Sequence, residues 1–416
     1  MSGPLAGVRV LDLTRVLSGP FATLLLADLG AEIWKVEHPD GGDETRQIQP
    51  SIAGQSHYFM AVNRNKASIA IDLKTDRGRD LVVALAARAD VVVENFRPGV
   101  ATRLGLDHEQ LRQVNPRLVY CSISAFGQDG PDATRTAFDV AIQALGGLMS
   151  ITGERDGAPV RAGVPIADLV AGLMADIGIL AALTERASTG EGRYVDVSML
   201  DSVVGLLTYY AGRYLMTGEE PARVGAGHLS VVPYGVYPAA DGDLVIATLS
   251  ESYWPRLCAL LGRDDLGRDA RLATNADRVA HRAEVEAAVS DALRQRSVAE
   301  WQAILTAADI PHAPILSVGQ VLAHPQVVAR GMVTQVEHPV AGGVGAVGSV
   351  VKFPGHEPTP ARPAPLLGEH TIGLLHDVLG LGQDEIDVLV RDAVVAAAAA
   401  PPADAAAPPA DRRRSW

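Results

Sequence analysis

Between residues 8 and 126 short β-branched runs alternate with helical ones: VRVLDLT (8–14), PFATLLLADLG (20–30), AEIWKVE (31–37), SIAIDL (68–73), RGRDLVVALAARA (77–89), DVVVENF (90–96) and LVYCSISAF (118–126). Strand, helix, strand in that rhythm predicts a mainly parallel sheet with helices on its faces, an α/β fold. Ligands of such sheets bind beyond the carboxyl ends of the strands. Chemistry is therefore expected in the segments after Thr14, Glu37, Leu73, Phe96 and Phe126.

At 416 residues the chain exceeds one ordinary core, so a second domain or an inserted one is expected. The pattern changes near residue 206. Residues 230 to 330 combine a strand pair around PAADGDLVIA with the amphipathic stretches WPRLCALLG, RAEVEAAVSDALRQ and VAEWQAILTAA, which reads as a smaller α+β unit. The boundaries follow: 1–205 for the first part of a large domain, 206–330 for the small one, and 331–392 for a returning C-terminal segment. Residues 393–416, AVVAAAAAPPADAAAPPADRRRSW, are too uniform to build a core and are expected to be a disordered Ala/Pro tail.

Composition narrows the partners. Apolar residues make up 48% and charged ones 20%, as in soluble globular proteins. A net charge of -13 argues against nucleic acid or an anionic membrane, both of which need a basic face. Cys121 and Cys258 are far apart, with no CxxC or Cys/His spacing, so neither a disulfide framework nor a metal site is expected. The N-terminus shows no secretory pattern, and no apolar run is expected to reach spanning length, so a reduced, cytoplasmic setting is expected.

Familiar cofactor motifs fail in turn. The first strand-to-helix turn, TRVLSGPFATLL, has one glycine, Gly19, where dinucleotide binding needs G-x-G-x-x-G for close approach of the backbone to a pyrophosphate. There is no G-x-x-x-x-G-K-[ST], and the Gly-rich AGGVGAVG (341–348) reads as part of a hairpin. Neither G-x-S-x-G nor HExxH occurs. Basic residues do gather at the predicted strand ends: NRNK (63–66), Lys74, Arg97 and Arg103. Together they suggest a positive mouth for a polyphosphate.

One carboxylate stands apart. In GVPIADLVAG (163–172) Asp168 lies in an apolar segment at the start of a helix expected from about Ala167 to Arg186. Locally it reads as a helix cap, because Asp accepts orphan backbone N–H groups. The alternative is a nucleophile.

Taken in order, LAGVRVLDLTRVLSGPFATLLLADLGAEIWKVEHPDGGDETR, NRNKASIAIDLKTDRGR, VVENFRPGVATRLGL, AFGQDGP, GVPIADLVAG and LLGEH resemble the family III CoA-transferases over about residues 5 to 390. The family also contains α-methylacyl-CoA racemase. The resemblance implies a Rossmann-like large domain, a small domain inserted in it, and a homodimer of interlocked, ring-like subunits. It implies coenzyme A or acyl-CoA as substrate, with no tightly bound cofactor. CoA would be lined by Val16, Leu17, Ser18, His38, Asp72, Leu73, Lys74, Asn95, Phe96, Arg97, Arg103 and the Thr136–Asp139 segment, including Phe138. His38 stands where an Arg is often found.

The resemblance also makes Asp168 the catalytic residue, a carboxylate that passes through an acyl anhydride and an aspartyl-CoA thioester. It must be ionised, and the helix N-terminus is expected to favour that form. The racemase branch uses a His that this chain replaces with Phe138, and a phenyl ring exchanges no proton. A racemase is therefore the alternative enzyme, and a non-catalytic acyl-CoA-binding protein a third reading. GAGHLSVVPYGVY (225–237) resembles the branch that moves CoA from succinyl-CoA to dicarboxylic acids. A second carboxylate calls for a cation, so Arg15, Arg46, Arg64 and His228 are candidate substrate residues.

Overall fold

The structure is a computed structural model that describes residues 3–355 and 359–398. The chain forms two compact units, one of Met1–Gly146, Gly163–Leu206 and Leu322–Trp416, the other of Gly147–Ala162 and Leu207–Val321.

The first unit is built on a seven-stranded sheet. Its order is Val395–Ala396, Lys66–Ile71, Glu32–Glu37, Arg9–Asp12, Val91–Glu94, Val119–Ser124 and Tyr194–Ser198. All neighbours are parallel except the first pair. The Val91–Glu94 and Val119–Ser124 strands are buried along their whole length, as expected when helices cover both faces. Strand order reverses between Arg9–Asp12 and Val91–Glu94, so the turns after Asp12 and Glu94 meet at the point where such sheets bind ligands.

One core gathers Leu11, Trp34, Ile69, Ile71, Val82, Leu85, Val92, Leu106 and Tyr120 with Leu374, Leu375, Ile386 and Leu389 from the returning C-terminal helices. The helix Ile166–Thr189 packs against the Val119–Ser124 and Tyr194–Ser198 strands and the Ser18–Asp28 helix. By length and composition it is apolar enough to cross a membrane, with Asp168 and Asp176 interrupting its apolar run. Its buried face, Val170, Ala171, Ala175, Ile179 and Ala182, is a stripe of mostly small side chains that lets the backbones approach. Gly172 is part of that approach: a Cβ there would lie 2.8 Å from the Ser18 carbonyl.

The second unit holds an antiparallel sheet, His312–Pro314, Asp243–Ala247 and Tyr234–Pro238. Leu244, Ile246, Trp254, Leu257, Val285, Val289, Leu293, Trp301 and Leu305 form its core. Capping boxes start the Asn275–Ala280 and Val298–Ala307 helices, from Thr274 with Asp277 and Ser297 with Glu300. The stretch Gly147–Ala162 also belongs here, inside the span 1–205 that the pattern placed in the first unit. Its ties are backbone-directed and carry no periodic signal: Arg223 Nη2 donates to Gly157 O at 2.8 Å and Gly225 N to Gly153 O at 3.0 Å.

The expected tail also starts too early in the sequence reading. Val394 and Val395 are buried in the first core, and Val395–Ala396 pairs antiparallel with Ile71 and Ala70. Ala-rich composition concealed a two-residue edge strand whose stability comes from a distant partner. The rest of that expected tail, residues 399–416, lies outside the described residues. Val395→Asp places a charge in this core and is expected to destabilise the chain by about 3 kcal/mol. Thermal unfolding checks this: an unchanged midpoint would mean the strand is not docked.

Candidate functional site

Asp12 ends the first strand and is fully buried. Its Oδ1 accepts from Thr14 N (2.9 Å) and Thr14 Oγ1 (2.5 Å), and its Oδ2 from Thr23 Oγ1 (2.6 Å) and Lys66 Nζ (3.1 Å). Lys66 Nζ also reaches Pro20 O (2.9 Å), Thr23 Oγ1 (2.8 Å) and Asn63 Oδ1 (2.9 Å). Burial alone would raise the Asp12 pKa; Lys66, Lys35 and the two threonines reverse it and hold the acid far below the usual carboxylate range.

Beside this pair Lys35, also fully buried, donates to Thr14 O (2.9 Å) and pairs with Asp43 Oδ2 at 3.1 Å. Arg46 Nε and Nη2 grip Glu37 at 2.7 Å each, and the guanidinium lies 3.6 Å from the Phe59 ring centroid. Glu37 Oε1 in addition accepts from Ser68 Oγ at 2.6 Å.

These charges hold the first turn. Asn95, just past the fourth parallel strand of the chain, accepts from Arg15 N and donates to Arg15 O, both at 2.8 Å. Val16 has φ of 64°, and its N–H points to both Asp43 oxygens at 3.3 Å. Leu17 and Ser18 follow, buried, at the start of the Ser18–Asp28 helix. Asn95 thus holds the turn through Arg15, and its Nδ2 lies 3.5 Å from Ser18 Oγ. Phe96 is half-buried against the core, with Arg15 over its ring.

At the neighbouring strand ends His38 Nε2 lies 3.6 Å from Asp72 Oδ1, beside Leu73 and Lys74. Lys74, Arg97 and Arg103 are exposed and have no ion pair among the described residues. Arg97 borders a cavity of about 230 Å³ that also contains Glu94, His108, Tyr120, Ser122 and Tyr194. Burial pushes the Glu94 carboxyl up to about 7, against hydrogen bonds from Ser122 and Phe96 N.

Other members of the predicted basic mouth are spent inside the unit. Lys66 serves Asp12, and Arg64 is buried in a bidentate pair with Asp28. Arg46 belongs to Glu37 and Pro365 O. Arg46 and Arg64 are therefore saturated where the sequence reading made them free for a substrate carboxylate. Arg15, with a loose 3.5 Å contact to Glu44, stays exposed. His228 lies in the second unit, stacked on Tyr209, with Nδ1 accepting from Ser230 N at 3.0 Å. Burial, then Arg282, lowers its pKa, so it offers a neutral N–H where a cation was expected.

Asp168 is not the helix cap. The N-cap position is Pro165, and Ala167 N donates to Asp139 Oδ1 at 2.8 Å; Gln143 Nε2 holds the other Asp139 oxygen at 2.7 Å. Asp139, expected in the CoA lining, thus caps the helix that carries Asp168. Asp168 itself is half-buried with no hydrogen bond or ion pair among the described residues. Burial first, and the Asp139 charge second, push it up to about 7. The expected helix-dipole depression of its pKa is overridden by that burial and by the Asp139 charge.

Tyr58 completes the group. Burial first, and then the charges of Asp168, Asp43 and Asp139, raise the pKa of its half-buried phenol. Nothing in its spacing singled it out; it enters through the Ser56-capped His57–Asn63 helix. Phe138, at the N-cap of Asp139–Leu145, is 72% exposed, and Thr136 is exposed beside it, so Phe138 is no core residue of this chain.

The Asp168 shift carries a stability consequence. Its folded pKa of about 7 lies above the ordinary 3.8, so the folded state keeps a proton that the unfolded chain releases between about pH 4 and 7. The stabilisation is full below pH 4 and lost as pH rises through 7. Asp168→Asn is expected to be more stable than the natural chain by on the order of 2 kcal/mol at pH 8 and to lose that advantage at pH 4. Denaturant midpoints at the two pH values check it; equal differences would contradict the raised pKa.

Comparison with known proteins identifies the family. The model of CoA-transferase family III matches residues 5–371. The succinyl-CoA:glutarate CoA-transferase of Mus musculus is 41% identical over 393 residues, covering 94% of this chain and 90% of that protein. The succinate–glutarate CoA-transferase of Agrobacterium fabrum is 40% identical over 387 residues, covering 90% and 96%. A solved CAIB/BAIF family protein from Brucella suis superposes with a TM-score of 0.82 at 38% identity, covering 91% of this chain and all of that one. With a matched family model over most of its length and relatives near 40% identity, this chain belongs to CoA-transferase family III.

Proposed function

We propose that the chain transfers CoA from succinyl-CoA to a dicarboxylic acid, with Asp168 as the nucleophile. The observation that carries this reading is a half-buried carboxylate without a partner among the described residues, at the start of a capped helix and beside Tyr58. The glutarate transferases among its relatives support the substrate class.

The chemistry needs one group that is both nucleophile and acyl carrier. An ionised Asp168 oxygen attacks the thioester carbonyl, the C–S bond breaks, and CoA leaves as thiolate while a mixed anhydride forms. The thiolate then attacks the Asp168 carbonyl, releasing succinate and leaving an aspartyl-CoA thioester. The acceptor carboxylate attacks that thioester to form a second anhydride, and the thiolate attacks the acceptor's carbonyl, which regenerates Asp168. No proton is gained or lost overall. A pKa near 7 keeps the carboxylate nucleophilic, and an acyl donor that covers the site removes more water and strengthens each interaction.

Lys74, Arg97 and Arg103 are suited to the phosphates of CoA, since they are exposed beyond the strand ends and hold no other charge among the described residues. By elimination Arg15 is the cation left for a distal carboxylate, since Arg46 and Arg64 are spent on Glu37 and Asp28. We also propose the interlocked homodimer and a cytoplasmic setting without nucleic-acid or membrane partners. Leu173, Met174 and Ile177, exposed on the long helix, suit a subunit contact, and a net charge of -13 suits the absence of polyanionic partners.

Three outcomes are expected. Incubation with succinyl-CoA and hydroxylamine should place a hydroxamate on Asp168, seen by peptide mass, and Asp168→Ala should lower kcat by on the order of a thousandfold or more. An unmodified Asp168 in an active enzyme would sink the mechanism. The single-turnover rate of that labelling should rise about tenfold per pH unit below 7 and level off above it, because only the ionised acid attacks. Arg97→Ala and Arg103→Ala should each raise KM for the CoA thioester about tenfold with kcat little changed; unaltered KM would remove them from the phosphate site.

A further inference from the structure

Five backbone groups of the first turn are fastened to side chains that no part of the mechanism uses. Thr14 N is held by Asp12, Thr14 O by Lys35, Arg15 N and O by Asn95, and Val16 N by Asp43. Asp43 is itself fixed from three sides: Lys35 at 3.1 Å, Thr45 N and Oγ1 at 3.0 and 2.7 Å, and its own N–H donating to Glu37 Oε2 at 3.1 Å. Lys35 and Asp43 are both buried, and the cluster around them pairs the acids Asp12, Glu37 and Asp43 with the cations Lys66, Arg46 and Lys35.

The turn being held is strained. Val16 has φ of 64°, a conformation that a β-branched residue rarely takes because its Cβ crowds the backbone. Its N–H donates to the Asp43 carboxylate. The residue after it, Leu17, opens the helix that packs on the Asp168 helix, where Gly172 approaches Ser18 O. A swing of Val16 to negative φ would turn the Leu17 and Ser18 backbone away from its present course beside the Asp168 helix.

We propose that Lys35 and Asp43 are positioning residues for the CoA transfer: the buried pair holds Val16 in its left-handed conformation and so sets the Leu17–Ser18 backbone against the Asp168 site. This rests on the reading of Asp168 as the nucleophile. Neither residue touches the reacting atoms in this role. Their contribution is the placement of a turn, and misplacement of a reacting centre by about 1 Å costs on the order of a hundredfold in rate.

The test separates acceptor from charge. Lys35→Met with Asp43→Asn removes both charges and keeps an oxygen for the Val16 N–H; Lys35→Met with Asp43→Leu removes both charges and the oxygen, a kind of exchange buried ion pairs tolerate. Circular dichroism and thermal unfolding report folding, and the single-turnover rate of hydroxamate formation on Asp168 reports position. The asparagine pair is expected to label within about threefold of the natural rate, and the leucine pair at least about tenfold slower. Adding Val16→Gly to the leucine pair should recover most of that loss, because glycine takes positive φ without a Cβ clash. A folded leucine pair that labels at the natural rate overturns the proposal. Hydrogen exchange at the Val16 amide of the natural chain needs no variant: protection supports the proposal, and exchange at the rate of an open amide overturns it. Absence of label in the natural protein would instead overturn the nucleophile reading, so the two failures are distinguishable.

Discussion

Asp12 sits at the end of the first strand with every oxygen engaged, and the geometry of the site depends on that carboxylate and on Lys66 beneath it. A buried charge is costly unless paired and hydrogen-bonded, and here the pairing is what links separate elements. Lys66 comes from the Lys66–Ile71 strand, on the far side of Glu32–Glu37, and reaches the Ser18–Asp28 helix through Pro20 O and Thr23, while Asn63 ties in the helix before it. Removing one partner would leave an uncompensated ion among three elements at once. Lys35, Asp43, Glu37 and Arg46 extend the same principle outward until it reaches the Val16 turn and the segment that follows Asp43.

Beside that saturated layer the proposed nucleophile is left unsatisfied. Asp168 has no partner among the described residues, and the Ala167 N–H of its helix is given to Asp139. The two acids divide the work that one residue was expected to do: Asp139 is the fixed cap, and its charge joins burial in raising the other. Functional sites often carry such local instability, held by a rigid surround. In this chain the surround is the charged layer and the tight approach of Gly172 to Ser18.

Much of the architecture was legible because periodicity reports burial. The β-branched runs from VRVLDLT to LVYCSISAF became parallel strands with helices between them, and the Gly-rich AGGVGAVG became half of the Val333–His338 and Gly342–Val347 hairpin. The family resemblance was carried by ordered motifs across nearly the whole chain, and the matched family model spans 5–371. What periodicity does not report is the direction of a long cationic side chain. Arg64 and Lys66 look like any surface NRNK cluster, yet both point inward to Asp28 and Asp12, acids 36 and 54 positions away in the chain. The Val395–Ala396 strand was hidden for a related reason: two residues have no period, and only Ile71 and Ala70 make them a strand.

By itself the sequence determined the alternation of elements, the place of Asp168 at the start of a helix, and the missing dinucleotide and P-loop glycines. These are properties of residue type and spacing, which local chain geometry translates directly. Tertiary structure alone decided which cations are spent internally and which stay free, that Asp139 caps the helix of Asp168, and that burial leaves Asp168 near pKa 7. Those are energies of groups brought together from distant parts of the chain, and they exist only once the sheet has assembled its strand ends at one edge.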